Sequence, residues 1–151
     1  MSINNSSPDL TQRPPRSPHV RLGGYVLLPR ILDKGRAALA GKLGEYHFAG
    51  KGMDRHFYTF TGLDHEALKA ELAKDHGDGE ILAWIEAHSK RQPWEVAAWS
   101  EYHSHRTPDS DHETLTFFAD EVKKYSATRE DIKTWFDLLD YDDYCVFGGK
   151  A

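Results

Sequence analysis

The sequence has almost no cysteine and no long apolar run, and both absences narrow the class of protein. Cys145 is the single cysteine among 151 residues, so no intramolecular disulfide can form and the chain lacks the mark of an oxidising compartment. No stretch approaches the roughly 18 consecutive apolar residues that a membrane-spanning helix needs. The polar first residues contain no apolar segment typical of a secretory signal. We therefore expect a soluble, cytoplasmic protein.

Basic residues are also fewer than acidic residues. The chain has 19 Lys and Arg against 24 Asp and Glu, which gives a net charge of −5. General affinity for nucleic acid depends on a surplus of basic residues that displaces counterions, and anionic membranes attract basic surfaces. We therefore expect neither partner. With 39% hydrophobic and 12% aromatic residues, the composition is typical of a globular domain and not of a disordered chain.

Residues 22–41, LGGYVLLPRILDKGRAALAG, predict a buried central helix. Pro29 fits only the first turn, and Gly41 can end the helix. Gly35 lies in the apolar stripe, which indicates that another backbone packs closely there. The opposite side carries charge and forms a cationic edge. The apolar stripe has helical spacing and consists of Leu28, Ile31, Leu32, Gly35 and Leu39.

The remaining capping and stop signals predict a mainly α, compact single-domain bundle of five to six helices. At most a small β element is expected near residues 44–60, because 45–48 alternates and 54–62 reads either as a short helix or as a strand. The last helix is predicted to begin at Thr128, with an irregular segment from about residue 140. Residues 1–19 form a Pro-rich extended arm and residues 20–151 a single helical domain. Composition leaves open whether the arm is a floppy tail or lies across the domain, anchored by Leu10 and Val20.

The cationic residues around the central helix suggest an anion site. Gly23 and Gly24 precede the helix and leave backbone N–H groups free, and the helix dipole favours an anion there. No P-loop or GxGxxG motif is present. The alternative is a solvated face with Asp33 as a local partner. The predicted ligand-binding residues are Arg21, Tyr25, Arg30, Lys34, Arg36 and Trp94.

Glu101 and His105 could form an acid–base pair, since residues four apart on a helix can share a hydrogen bond that orients the imidazole. The alternative is a surface pair of the kind common on helices. Nine histidines raise the question of a metal, but His103 and His105 would diverge on a helix and no ligand motif is present. We therefore predict no metal and no cofactor.

The chain ends in an acidic segment that lacks the central Gly and terminal Glu of a calcium loop. Its carboxylates are expected either to solvate the surface or to pair with the basic edge of the central helix. The residues are Asp137, Asp140, Asp142 and Asp143.

Several segments together resemble a bacterial family of single-domain proteins of about this length that is catalogued only as a domain of unknown function. The resemblance implies a stand-alone soluble domain in which the arm and the C-terminal tail belong to the fold, and it implies no activity. The segments are LTQRPPRSP, RLGGYVLLPRILDKGRA, GDGEIL, PWEVAAWS, TWFDLLDYDD and FGGKA.

Three functions follow as hypotheses. The first is a binding or regulatory module that holds an anionic small molecule or an acidic peptide at the basic edge between Arg21 and Arg36. The second is a small enzyme that uses Glu101 and His105 for proton transfer. The third is a structural or oligomer-forming protein with exposed aromatic clusters.

Overall fold

Helix α1 (Leu28–Leu39) is the central element of the fold, in a computed structural model that describes residues 3–151. The described range is mainly helical and contains seven helices and no strand. Apart from α1, the helices are α2 (Asp54–Thr61), α3 (His65–Leu72), α4 (Asp78–Ser89), α5 (Pro93–His105), α6 (His112–Lys123) and α7 (Trp135–Val146).

The helix count and the β element both differ from the sequence prediction. Residues 45–48 lie in the loop before α2, and residues 54–61 are helical. Four alternating residues are a shorter run than the roughly five or six residues of the commonest strands. The loop is also turned by Gly44, Gly50 and Gly52, whose φ angles of 61°, 61° and 60° favour glycine. The one β bridge in the described range joins Leu22 to Tyr25.

Helix α1 is buried on nearly every side, which confirms it as the central helix. Pro29 occupies its first turn as predicted. A Cβ at Gly35 would collide with Leu72 Cδ1 and lie 3.2 Å from Phe48 Cε2, so side chains and not a backbone pack against this glycine. Leu39, predicted in the apolar stripe, is 43% exposed because the helix emerges at its C-terminal end. The residues of α1 that are buried include Arg30, Asp33 and Lys34.

The core has two parts. The main cluster surrounds α1 and includes Phe57 from α2, Ile81 and Ile85 from α4, and Phe136 from α7. A smaller cluster joins α6 to α7 and consists of Phe118, Val122, Leu138 and Tyr141. None of the helices in residues 3–151 is long and apolar enough to cross a membrane.

The last helix begins later and ends later than predicted. Thr134 caps α7 by accepting a hydrogen bond from the backbone N–H of Asp137 (3.0 Å), and the Asp137 carboxylate accepts one from the N–H of Thr134 (3.4 Å), which completes a capping box. The segment predicted to be irregular from residue 140 is helical up to Val146. The buried side chains of Leu138 and Tyr141 continue the helical stripe and explain the extension.

The N-terminal arm packs across the bundle. Of the two alternatives left open for the arm, the structure shows the packed one: Leu10 is 1% exposed and anchors the arm, whereas Val20 is 40% exposed and does not. The backbone N–H of Leu10 donates to the carbonyl of Lys42 (2.9 Å). The Arg16 guanidinium donates to Asp33 (3.0 Å) on α1 and to Asp78 (2.8 Å) at the start of α4.

Replacing Arg16 with alanine should lower the free energy of unfolding by about 2 kcal/mol, because the buried Asp33 carboxylate loses its charged donors. Chemical denaturation measures the loss, and hydrogen exchange should quicken at the arm amide of Leu10. Arg13→Ala is the control, since this guanidinium donates to Asn5 Oδ1 in an exposed contact. Equal effects of both variants would contradict the assigned role of Arg16.

Candidate functional site

Four of the six predicted ligand-binding residues lie in separate environments: two are arginines paired with carboxylates, one is in the core and one is exposed. Arg21 donates to Glu101 (2.6 Å) on the surface. Tyr25 is 2% exposed, within the core. Arg36 donates to Asp78 (2.8 Å), and Trp94 is 71% exposed. The buried position of Tyr25 keeps it away from any ligand at the surface.

The predicted acid–base pair lies on an open part of α5. His105 Nδ1 is 3.0 Å from the backbone oxygen of Glu101 and 3.8 Å from its carboxylate, and the two side chains are 76% and 63% exposed. The same carboxylate accepts the hydrogen bond from Arg21. This geometry matches a surface pair of small energetic weight, and a role in proton transfer stays a prediction.

Arg30 and Lys34, the other two predicted residues, line one cavity of about 520 Å³, which we call the α1 cavity. They stand four residues apart on α1 and therefore face the same side of the helix. The loop after α1 and one side of α7 complete the walls. The other lining residues are Glu45, Tyr46, His47, Ala49, Lys51, Gly52, Met53, Asp54, Leu139 and Asp142.

A buried bidentate ion pair supports the base of this cavity. Arg30 donates through Nη1 and Nη2 to the two carboxylate oxygens of Asp143 (2.7 and 3.1 Å), and the two side chains are 4% and 8% exposed. Burial alone would lower the pKa of Arg30, but the hydrogen bonds and charge of Asp143 raise it above its ordinary value. The Arg30 guanidinium is therefore fixed in position and permanently charged.

The Tyr46 hydroxyl donates to the same carboxylate of Asp143 (2.7 Å). Burial raises the pKa of Tyr46 well above its ordinary value, and the negative charge of Asp143 raises it further. Tyr46 is therefore a neutral hydrogen-bond donor at the cavity wall and not an acid.

Lys34 is the second buried cation of the cavity. Its Nζ donates to Asp54 Oδ2, and the two side chains are 11% and 6% exposed. An ammonium group carries three hydrogens, and within residues 3–151 Asp54 is its one side-chain acceptor. Two N–H donors of Lys34 thus remain beside the cavity.

Lys51 adds a third cation at the mouth of the cavity. It is exposed, and its ammonium group sits on a long, flexible side chain. Among the described residues, no carboxylate oxygen lies within salt-bridge distance of its Nζ. The α1 cavity therefore combines two fixed, buried cations with one exposed cation.

Sequence reasoning found part of this site. Of the two alternatives left open for the acidic C-terminal segment, Asp143 follows the second and pairs with the basic edge of the central helix. The pairing of Asp54, the first residue of α2, with Lys34 was missed. Tyr46 and Lys51 were missed. No local spacing could have revealed them, because the loop that carries them has no periodic pattern.

Comparison with protein families shows to which family the chain belongs. A family profile described as "Domain of unknown function (DUF5069)" matches residues 12–145. The chain belongs to the DUF5069 family. The DUF5069 match includes the arm from Gln12 onward, all of α1, and Asp143 of the buried ion pair. The cations on α1 and the carboxylate that pairs with Arg30 therefore all lie inside the family domain. A comparison with curated proteins finds no match.

Proposed function

We propose that this DUF5069 protein is a binding module for a small anion with a single carboxylate or phosphate group, held in the α1 cavity. The observation that carries the proposal is the buried Lys34 ammonium, which has one acceptor and two remaining donors beside the cavity. Because Lys34 and Lys51 both line the cavity, a ligand oxygen placed between them accepts charge-assisted hydrogen bonds from both ammonium groups.

The charge balance of the cavity limits the ligand. Three cationic side chains line it, and so do three carboxylates from Glu45, Asp54 and Asp142. Asp54 is paired with Lys34, and Asp142 accepts a hydrogen bond from the Tyr125 hydroxyl (2.6 Å). Because the formal charges cancel, the cavity has no net attraction for a polyanion or an acidic peptide, whereas one anionic group matches the unused donors.

Each of the three cationic side chains has a separate role in this proposal. Lys34 donates to the ligand directly. Arg30 is already saturated by Asp143 along one edge of its guanidinium and contributes mainly its positive charge. Lys51 reaches over the mouth and raises the association rate, as an exposed charge near a binding site does.

Calorimetric titration with acetate, inorganic phosphate and citrate tests the proposal. We expect acetate or phosphate to bind with a Kd of about 1 mM or tighter and citrate to bind more weakly. Lys51→Glu should weaken binding about fivefold, the equivalent of about 1 kcal/mol. Lys42→Glu, an exposed lysine that does not line the cavity, is the matched control.

A second variant removes the central donor without leaving a charge buried. Lys34→Met/Asp54→Leu keeps the interior neutral, which is often tolerated by the fold, and it should abolish binding while the protein stays folded by circular dichroism. Unchanged affinity in this double variant, or equal weakening by Lys51→Glu and Lys42→Glu, would refute the proposal.

A further inference from the structure

A second concave surface lies between α6 and α7 and occupies about 660 Å³. We call it the α6–α7 groove. Its apolar floor contains Phe117, Trp135 and Leu138, and its acidic rim contains Glu113, Glu121 and Asp142. On α6 the residues Glu113, Phe117 and Glu121 follow one another at intervals of four, so they form a single stripe along the helix.

The apolar floor is incompletely covered by the chain itself. Helix α6 turns Phe118 and Val122 inward to the small core, and this leaves Phe117 55% exposed. The indole Nε1–H of Trp135 is buried and has no acceptor among the described residues. An exposed aromatic side chain next to an unsatisfied donor is typical of an interaction surface.

The charges of the groove favour a basic occupant. Asp109 joins the three rim carboxylates, and Arg55 and Arg106 line the opposite wall, which gives a net charge of −2. Arg106 is already engaged, with Nη1 3.3 Å from His56 Nε2 and Nη2 3.9 Å from Asp109. Along the α6 side the rim is formed by Glu113 and Glu121, and Glu121 also accepts a hydrogen bond from Lys124 (2.8 Å).

The length of the stripe fits a helical ligand. The eight-residue interval from Glu113 to Glu121 corresponds to about 12 Å along the axis, or just over two helical turns. An amphipathic helix that docks in a groove uses apolar anchors at such intervals, with its charged residues along the edges.

We propose that the α6–α7 groove binds a basic amphipathic helix of a protein partner, with apolar anchors over Phe117 and Trp135 and Lys or Arg beside Glu113 and Glu121. A second copy of this chain is a poorer occupant, because the protein carries a net charge of −5 and would bring acidic surfaces together.

Fluorescence anisotropy with a labelled synthetic peptide tests this proposal. The peptide is an amphipathic helix of about four turns made of Leu and Lys, and a Leu/Glu peptide of the same pattern is the charge control. We expect the Leu/Lys peptide to bind with an affinity that falls as salt is raised. The Leu/Glu peptide should bind at least about tenfold more weakly.

Matched variants locate the site. Phe117→Ser should weaken binding at least about tenfold, as loss of an aromatic anchor does, and Glu113→Lys/Glu121→Lys should weaken it similarly. Leu115→Ser is the control, since Leu115 is 48% exposed on the same helix and does not line the groove; its effect should stay within about twofold.

Three results would overturn the proposal. The first is equal weakening by Leu115→Ser and Phe117→Ser, and the second is equal binding of both peptides. The third is a dimer, seen by analytical ultracentrifugation, that Phe117→Ser abolishes, because a second copy would then occupy the groove. Phe117 does not line the α1 cavity and Lys51 does not line the groove, so this proposal and the anion proposal fail separately.

Discussion

Replacing Asp143 with asparagine should lower the free energy of unfolding by about 3–5 kcal/mol, as breaking a buried ion pair on one side does. The substitution keeps the size of the side chain but removes its charge. Arg30, which is 4% exposed, then keeps a buried positive charge without a counterion. The Tyr46 hydroxyl also loses its charged acceptor. Chemical denaturation followed by circular dichroism measures the change.

Asp140→Asn is the matched control for this experiment. Asp140 lies on the same helix, its side chain is 40% exposed, and burial raises its pKa above the ordinary value. Neutralising it should change stability by less than about 1 kcal/mol. Arg30→Met/Asp143→Leu, which removes both charges, should recover most of the stability lost in Asp143→Asn. A loss in Asp143→Asn no larger than in Asp140→Asn would contradict the described ion pair.

Acidification should destabilise the protein through His103, by at most about 3 kcal/mol between pH 6.5 and pH 4. His103 is 4% exposed and its Nδ1 has no partner among residues 3–151. Its ring lies 4.8 Å from that of His56 and 4.7 Å from that of Trp99. Burial, together with the positive charge of the nearby His56 and Arg106, lowers the pKa of His103 to about 4.

The direction of this change in stability with pH follows from proton binding. Because the pKa of His103 is lower in the folded protein, the unfolded chain binds the proton more readily as the pH falls below about 6.5. The contribution to stability is complete above that pH and is lost progressively down to about pH 4. His56, whose pKa is also lowered by burial, acts in the same direction.

Denaturation curves at several pH values in this range measure the effect. His103→Leu should flatten the pH dependence, whereas His105→Leu, a change at an exposed histidine of the same helix, should leave it as in the unmodified protein. Carboxylates titrate in the same range, so the quantity of interest is the difference between these two variants. Parallel curves for the two would contradict the role of His103.

The central helix was predictable because its signals are local. The apolar spacing from Leu28 to Leu32 and the proline at the first turn act within a few residues of each other. The cap of α3 is also a local signal, because Asp64 accepts a hydrogen bond from the N–H of Ala67, three residues later (3.1 Å). Local periodicity and capping determine such elements before any tertiary contact forms.

The burial of the charged residues of α1 and the identity of their partners were not predictable in the same way. Arg30 and Asp143 are 113 residues apart in sequence and Lys34 and Asp54 are 20 apart, so no periodic pattern connects either pair. A charged side chain opposite an apolar stripe ordinarily faces solvent. In this fold, however, the arm and the loop after α1 cover that side, and the paired carboxylates make burial of the cations tolerable.

The most direct test of the anion-binding account is a crystal structure of the full chain grown with selenate, a phosphate-like anion whose selenium gives an anomalous signal. If the anion binds at Lys34, an anomalous peak appears in the α1 cavity, with an oxygen at about 2.8 Å from Lys34 Nζ. The peak should then disappear in Lys34→Met/Asp54→Leu. An empty α1 cavity under conditions where selenate binds elsewhere on the protein would show that this cavity is not an anion site.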